Sequence, residues 1–151
     1  MLRDTISVNQ LNIKQDINGI FLFYDNSRNK YLSTSRESFS FGMNNRNISN
    51  DRWLTVISGI YSNLSGYRTY RNSTITSMSV QTQNSSDCIF HIRKNGVTSN
   101  FSPISLNNEK GKSLDNLDIN LDVNDYLQCF LEVNSGNVDY PVLLIELAWR
   151  E

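Results

Sequence analysis

The 151-residue sequence predicts an all-β chain: an antiparallel β-sandwich, of jelly-roll type, preceded by a short N-terminal arm. Three observations predict it. Apolar and polar residues alternate through most of the chain, no segment of ten or more residues carries a helical period, and turn residues recur every ~8–12 positions. Residues 1–18 form the arm and residues 19–151 the single sandwich domain.

The strictest alternation runs from Leu117 to Val123, where Leu117, Ile119, Leu121 and Val123 share one face and Asp118, Asn120 and Asp122 the other. Tyr126–Val133 follows, with Leu127, Cys129, Leu131 and Val133 in phase. The polar turn Asn134–Asn137 leads to Pro141–Trp149, whose Leu143, Ile145, Leu147 and Trp149 face one way. This last segment also places Val142, Leu144 and Ala148 on its opposite face. A strand apolar on both faces needs cover beyond its own core.

The middle carries Ser73–Thr82 and Cys88–Arg93 as two strands. Asn95-Gly96 then marks a tight hairpin, because both residues tolerate positive φ, and Phe101–Leu106 is the returning strand. Ile20–Tyr24 and Tyr31–Thr34 form an earlier hairpin, Phe39 and Phe41 mark a short strand, and Trp53–Tyr61 another. Asn44–Arg52, Ser62–Arg71 and Asn134–Asp139 read as surface loops. The arm shows only weak alternation, at Ile6, Val8, Leu11 and Ile13. A first strand of the sandwich is the competing reading for this segment.

Composition narrows the function. Lys and Arg number 14 against 15 Asp and Glu, for a net charge of −1, which gives no field to gather a nucleic acid. Polarity comes instead from 21 Asn and 20 Ser. Residues 1–75 carry a net +4 and residues 76–151 a net −5, a division that suits side-by-side packing of identical copies if the loops place it on two faces. No run approaches the ~18–20 apolar residues of a membrane helix, and the start lacks a secretory layout, so a soluble product of the cytoplasm is expected.

Chemistry-bearing residues are sparse. His91 stands alone between Phe90 and Ile92, and no Ser or Cys sits in a nucleophile motif. Cys88 and Cys129 fall on apolar strand faces and read as buried thiols. Asp115, Asp118, Asp122 and Asp125 form an acidic run, but Asp118 and Asp122 lie roughly 13 Å apart along one strand, too far to share an ion. No catalytic residue, cofactor or metal is therefore expected, and the chain is read as a non-enzyme. Arg46, Arg52, Arg68 and Arg71 with Trp53, Tyr61, Tyr67 and Tyr70 make an aromatic-basic set suited to subunit or sugar contact. Arg46, Arg52, Tyr67, Arg68 and Tyr70 are the candidate loop-borne binding residues.

Several segments carry a resemblance. They are Ser27-Arg28-Asn29-Lys30-Tyr31-Leu32-Ser33 with Arg36, Phe39, Phe41 and Gly42; Ser65-Gly66-Tyr67-Arg68 with Arg71–Thr76; and Asp122–Gln128 with Pro141–Arg150. Together they resemble small bacteriophage virion proteins with a jelly-roll domain, found as head fibres, capsid decorations or tips of tail appendages. The last third is similar to the closing strands of trimeric C1q/tumour-necrosis-factor-like jelly rolls. The resemblance implies a homotrimer on a virion, with capsid or other virion proteins as partners and no nucleic acid or membrane. It places Val142, Leu144, Ala148, Trp149 and Tyr126 as trimer-interface candidates, and Ile6, Val8, Leu11 and Ile13 as the anchoring arm. A receptor- or glycan-binding tip of a tail fibre, meeting a host surface glycan, is the alternative it leaves open.

Overall fold

The computed structural model describes residues 13–15, 21–56, 59–98 and 101–150, and every regular element among them is a strand. In chain order these are β1 (Ile13–Gln15), β2 (Phe21–Asp25), β3 (Lys30–Gly42), β4 (Arg52–Trp53), β5 (Thr55–Val56), β6 (Tyr67–Arg68), β7 (Ser73–Lys94), β8 (Ile104–Leu114), β9 (Ile119–Leu121), β10 (Tyr126–Ser135) and β11 (Val142–Arg150). All pairings are antiparallel, and the main path runs β1-β2-β3-β11-β7-β10-β4. The sequence expectation of an antiparallel all-β fold holds.

One strand organises the rest. β7 spans 22 residues, so the two separate strands expected at Ser73–Thr82 and Cys88–Arg93 are halves of one. Its first half pairs with β11 on one edge and with β9 and the end of β8 on the other; its second half pairs with β10 and the start of β8. Between them, at Gln81–Ser86, the register with β8 shifts. Local hydroxyl bonds hold this bend: Thr82 Oγ1 donates to the Asn84 carbonyl at 2.7 Å, and Ser86 Oγ to Asn84 Oδ1 at 3.1 Å. A bulge re-aims a strand without ending it, and here it folds the sheet into two layers.

The inward faces of both layers meet in one core. Phe39 and Phe41 of β3, Leu143, Ile145 and Leu147 of β11, and Ile75, Met78 and Val80 of β7 come from the first layer. Cys88, Phe90 and Ile92 of β7, Ile104 and Leu106 of β8, and Leu127, Cys129 and Leu131 of β10 come from the second, and all are buried. β3 joins the expected hairpin arm at Tyr31–Thr34 and the Phe39/Phe41 segment into one 13-residue strand.

Turn chemistry matches the sequence where it matters most. Asn95 (φ 54°) and Gly96 (φ 80°) close a two-residue turn, with Lys94 and Val97 exchanging backbone bonds of 2.9 and 3.0 Å. The strand that follows starts at Ile104 and continues to Leu114, well beyond the expected Leu106. At the β2–β3 turn, Asp25 Oδ1 accepts from the Ser27 amide (2.9 Å) and hydroxyl (2.6 Å), and Asp25 Oδ2 from Arg28 (2.6 Å). The segment expected as a free loop at Asn44–Arg52 is pinned in its middle, since buried Ile48 and Val138 exchange backbone bonds of 3.0 and 2.9 Å.

Of the anchoring-arm candidates, Ile6, Val8 and Leu11 lie outside the described residues. Ile13 lies in β1, in register with Phe23 of β2, so this part of residues 1–18 runs along the sheet edge.

Candidate functional site

The outward face of the first layer is built on β11, flanked by β3 and β7. Register sets its rows: Ser40–Leu144–Ser79 continuing to Ser113, and Ser38–Glu146–Ser77 beside it. Val142 lies in the next row, between Gly42 and Gln81. The alternation that buries Leu143 and Ile145 leaves Val142 41% and Leu144 44% exposed. The hydroxyls of Ser38, Ser40, Ser77, Ser79 and Ser113 make no hydrogen bond with other described residues. Leu144 separates two shallow troughs of about 590 and 300 Å³. The result is an apolar ridge on a central strand, between columns of small side chains.

Ala148 does not belong to this surface. It was expected outward with Val142 and Leu144, but it is 0% exposed. Ala148 sits in register between Arg36 and Thr74. The Arg36 side chain extends over this row, lying 3.6 Å from Glu146 and donating to the Ser33 carbonyl. A methyl group between longer neighbours is easily covered.

The other two interface candidates lie elsewhere. Trp149 is half-buried, with the Tyr70 ring at 5.2 Å and the Arg71 guanidinium at 5.5 Å. Tyr126 opens β10 and lies under Arg68 at 5.6 Å. The five candidates therefore do not form one surface; Val142 and Leu144 do.

The loop-borne candidates also disperse. Tyr67 is corrected from an exposed loop residue to a half-buried residue of β6. Its ring stacks on Phe39 with centroids 3.7 Å apart, and its hydroxyl donates to Glu37 at 3.1 Å. Burial and then the Glu37 carboxylate push its phenol well above the usual range. Tyr70 donates to the same Glu37 at 3.4 Å. Arg46 bonds the Tyr140 hydroxyl at 2.8 Å. Arg68 borders a shallow cleft with Tyr126 and Gln128, and Arg52 borders a second one.

That cleft, of about 360 Å³, is lined by Asp51, Arg52, Trp53, Tyr61, Asn63 and Leu64. The sequence marked Trp53, Tyr61 and Arg52 as members of an aromatic-basic set but not as neighbours. What joins them is the clamp at buried Ser62, whose hydroxyl donates to the Cys129 carbonyl at 3.0 Å. The Trp53 ring is held by the edge of Phe130 at 5.2 Å and by Arg93 at 4.9 Å.

Several ionisable residues are held in pairs. The acidic run meets cations from other elements: Asp118 meets Lys30 at 2.5 Å, Asp125 meets Lys94 at 2.6 Å, and Asp122 pairs with Arg150. His91 contacts Glu132 at 2.7 Å across β7 and β10. Among the described residues no three His, Cys, Asp or Glu side chains converge on a common metal position. Both cysteines are free and buried. Burial, and then Asp87, push the Cys88 thiol up to about 11, and burial pushes Cys129 higher still.

No family model and no curated protein matches the chain. Among solved structures, the crystal structure of FLHE is similar at a TM-score of 0.39 and 8% identity, over 78% of this chain and 100% of that one. A likeness of that size carries no argument about this chain's role.

Proposed function

We propose that this chain is a non-enzymatic structural protein of a bacteriophage particle, a head fibre or capsid decoration that assembles as a C1q/tumour-necrosis-factor-like trimer. One observation carries the assembly part: Val142 and Leu144 stand exposed on a central strand between columns of serines that have no hydrogen-bond partner among the described residues. Small flanking side chains let a second sheet approach to the ~10 Å spacing of packed sheets, and the hydroxyls can bond across the contact. Contiguous exposed apolar surface is what marks an interaction site. The occupant proposed is a second copy of the same chain, whose Val142–Leu144 face and serine columns would meet their like.

The virion setting rests on the sequence resemblance, with the residues before β1 as the anchor. Mass spectrometry of gradient-purified particles, from the phage whose genome encodes the chain, tests it. The chain is expected in those particles, and deletion of residues 1–12 is expected to remove it from them without unfolding the domain. Particles free of the full-length chain contradict the proposal.

A second reading, the glycan-binding tip of a tail appendage, draws on a different surface. It is favoured by the cleft at Trp53 and Tyr61 on the other layer.

A further inference from the structure

The cleft at the edge of the second layer has a specific chemistry. Trp53 ends β4, which pairs with β10, and the turn carrying Tyr61, Asn63 and Leu64 folds back beside it. Tyr61 is 48% and Leu64 75% exposed, so both present apolar surface to the cleft beside Trp53. Around these apolar surfaces stand an acid, a base and an amide.

Those polar groups are largely unspent. Asp51 accepts the Val133 amide through Oδ1 at 2.8 Å, and its other oxygen bonds nothing among the described residues. Among the described residues Arg52 makes only long contacts, 3.4 Å to the Asn50 carbonyl and 3.8 Å to Met43 Sδ. Asp51 and Arg52 form no ion pair with each other, and neither the Asn63 amide nor the Tyr61 hydroxyl has a partner among the described residues.

We infer that this cleft binds the terminal ring of a neutral carbohydrate. A pyranose offers a flat face of C–H groups and a rim of hydroxyls, each both donor and acceptor. Aromatic rings desolvate the face while fixed polar groups bond the rim. Asp51 supplies acceptors, Arg52 donors and Asn63 both. A phosphate or sulfate would meet the Asp51 carboxylate and an ammonium would meet Arg52, so one rim of both signs selects an uncharged polyol.

The site is also built in advance. Ser62 fastens the turn to β10: its hydroxyl donates to the Cys129 carbonyl and accepts the Cys129 amide at 3.1 Å, while Gln128 Nε2 donates to the Ser62 carbonyl at 2.8 Å. The Val56 amide bonds the Ile60 carbonyl at 2.9 Å. Groups already ordered lose little entropy on binding. At about 360 Å³ the cleft sits at the small end of ligand pockets, so one or two rings fit and a single-site Kd on the order of 1 mM is expected.

This inference deepens the tip reading and is independent of the Val142–Leu144 surface. The test applies the full-length chain to immobilised oligosaccharides, some neutral (glucose-, galactose-, mannose-, rhamnose- and N-acetylglucosamine-terminated) and some sialylated, sulfated or phosphorylated. Selective retention on a neutral glycan is expected, lost about tenfold or more in Tyr61→Ala and Trp53→Ala and about threefold in Asn63→Ala. Tyr61 and Asn63 are exposed, so those variants keep the fold even if Trp53→Ala does not, and Lys112→Ala on β8 binds as the parent does. Retention on charged glycans alone overturns the inference. A neutral glycan bound equally by Tyr61→Ala and Asn63→Ala overturns the cleft and leaves the tip reading standing, whereas no retention at millimolar ligand removes both.

Discussion

Ser62 and Cys129 exchange two hydrogen bonds: the Ser62 hydroxyl donates to the Cys129 carbonyl at 3.0 Å and accepts the Cys129 amide at 3.1 Å. A buried serine thus replaces a neighbouring strand at the edge of β10 and ties a surface turn to the core. Removing the hydroxyl leaves the buried Cys129 amide without its partner, while the Cys129 carbonyl keeps the Leu54 amide at 2.9 Å, and the loss costs about 1–3 kcal/mol. Ser62→Ala is expected to lose that amount in urea unfolding, and hydrogen exchange is expected to quicken at residues 59–65. Unchanged exchange there would show that the turn holds itself.

The two faces of β11 are expected to answer mutation in opposite ways. Leu143→Ala removes a core side chain with no exposure and is expected to cost about 2–5 kcal/mol. Leu144→Ser, one residue on, is expected to change the stability of the dissociated chain by less than about 0.5 kcal/mol. Denaturant melts of both variants at low concentration check this pair.

Asp25 contributes acid-sensitive stability. Hydrogen bonds from Ser27, and then contacts with Arg28, outweigh burial and lower its carboxyl from 3.8 to about 2. A folded-state value below the unfolded one stabilises the protein above the unfolded value, and that contribution drains as pH falls from about 3.8 to about 2. Asp25→Ala is expected to cost about 1 kcal/mol at neutral pH, with the gap to the parent closing across that acid window. A constant gap across the window would reassign the effect to packing.

Cys88 and Cys129 are expected to resist thiol reagents in the native state. Cys129 is in register with Ile92 and Cys88 with Val133, so they stand four positions apart on paired strands, roughly 13 Å, and cannot bond to each other. Both are buried with raised thiol values. Titration with a chromogenic disulfide is expected to find no fast-reacting thiol until denaturant is added, and then two.

The strand phases were legible because alternation is a local property. Leu127, Cys129 and Leu131, and Leu143 and Ile145, face the core as their spacing predicts. The Asn95–Gly96 turn was legible because only a few residues adopt its backbone. The bend of β7 was not, since a bulge at Gln81–Ser86 depends on which strands lie beside it. Ala148 was misplaced for the same reason: the register of β11 with its neighbours shifts on either side of it, after Glu146 against β7 and before Arg150 against β3. The cleft was half legible. Its aromatic residues stand out in the sequence, while the clamp joins Ser62 to Cys129 across 67 positions.

The mass of the full-length chain in solution tests the central claim most directly. Light scattering at micromolar concentration is expected to give three times the 17.4 kDa chain mass, falling to the single-chain mass in the double variant Val142→Ser, Leu144→Ser. A parent protein that stays at 17.4 kDa, or a double variant as large as the parent, would contradict assembly through this face.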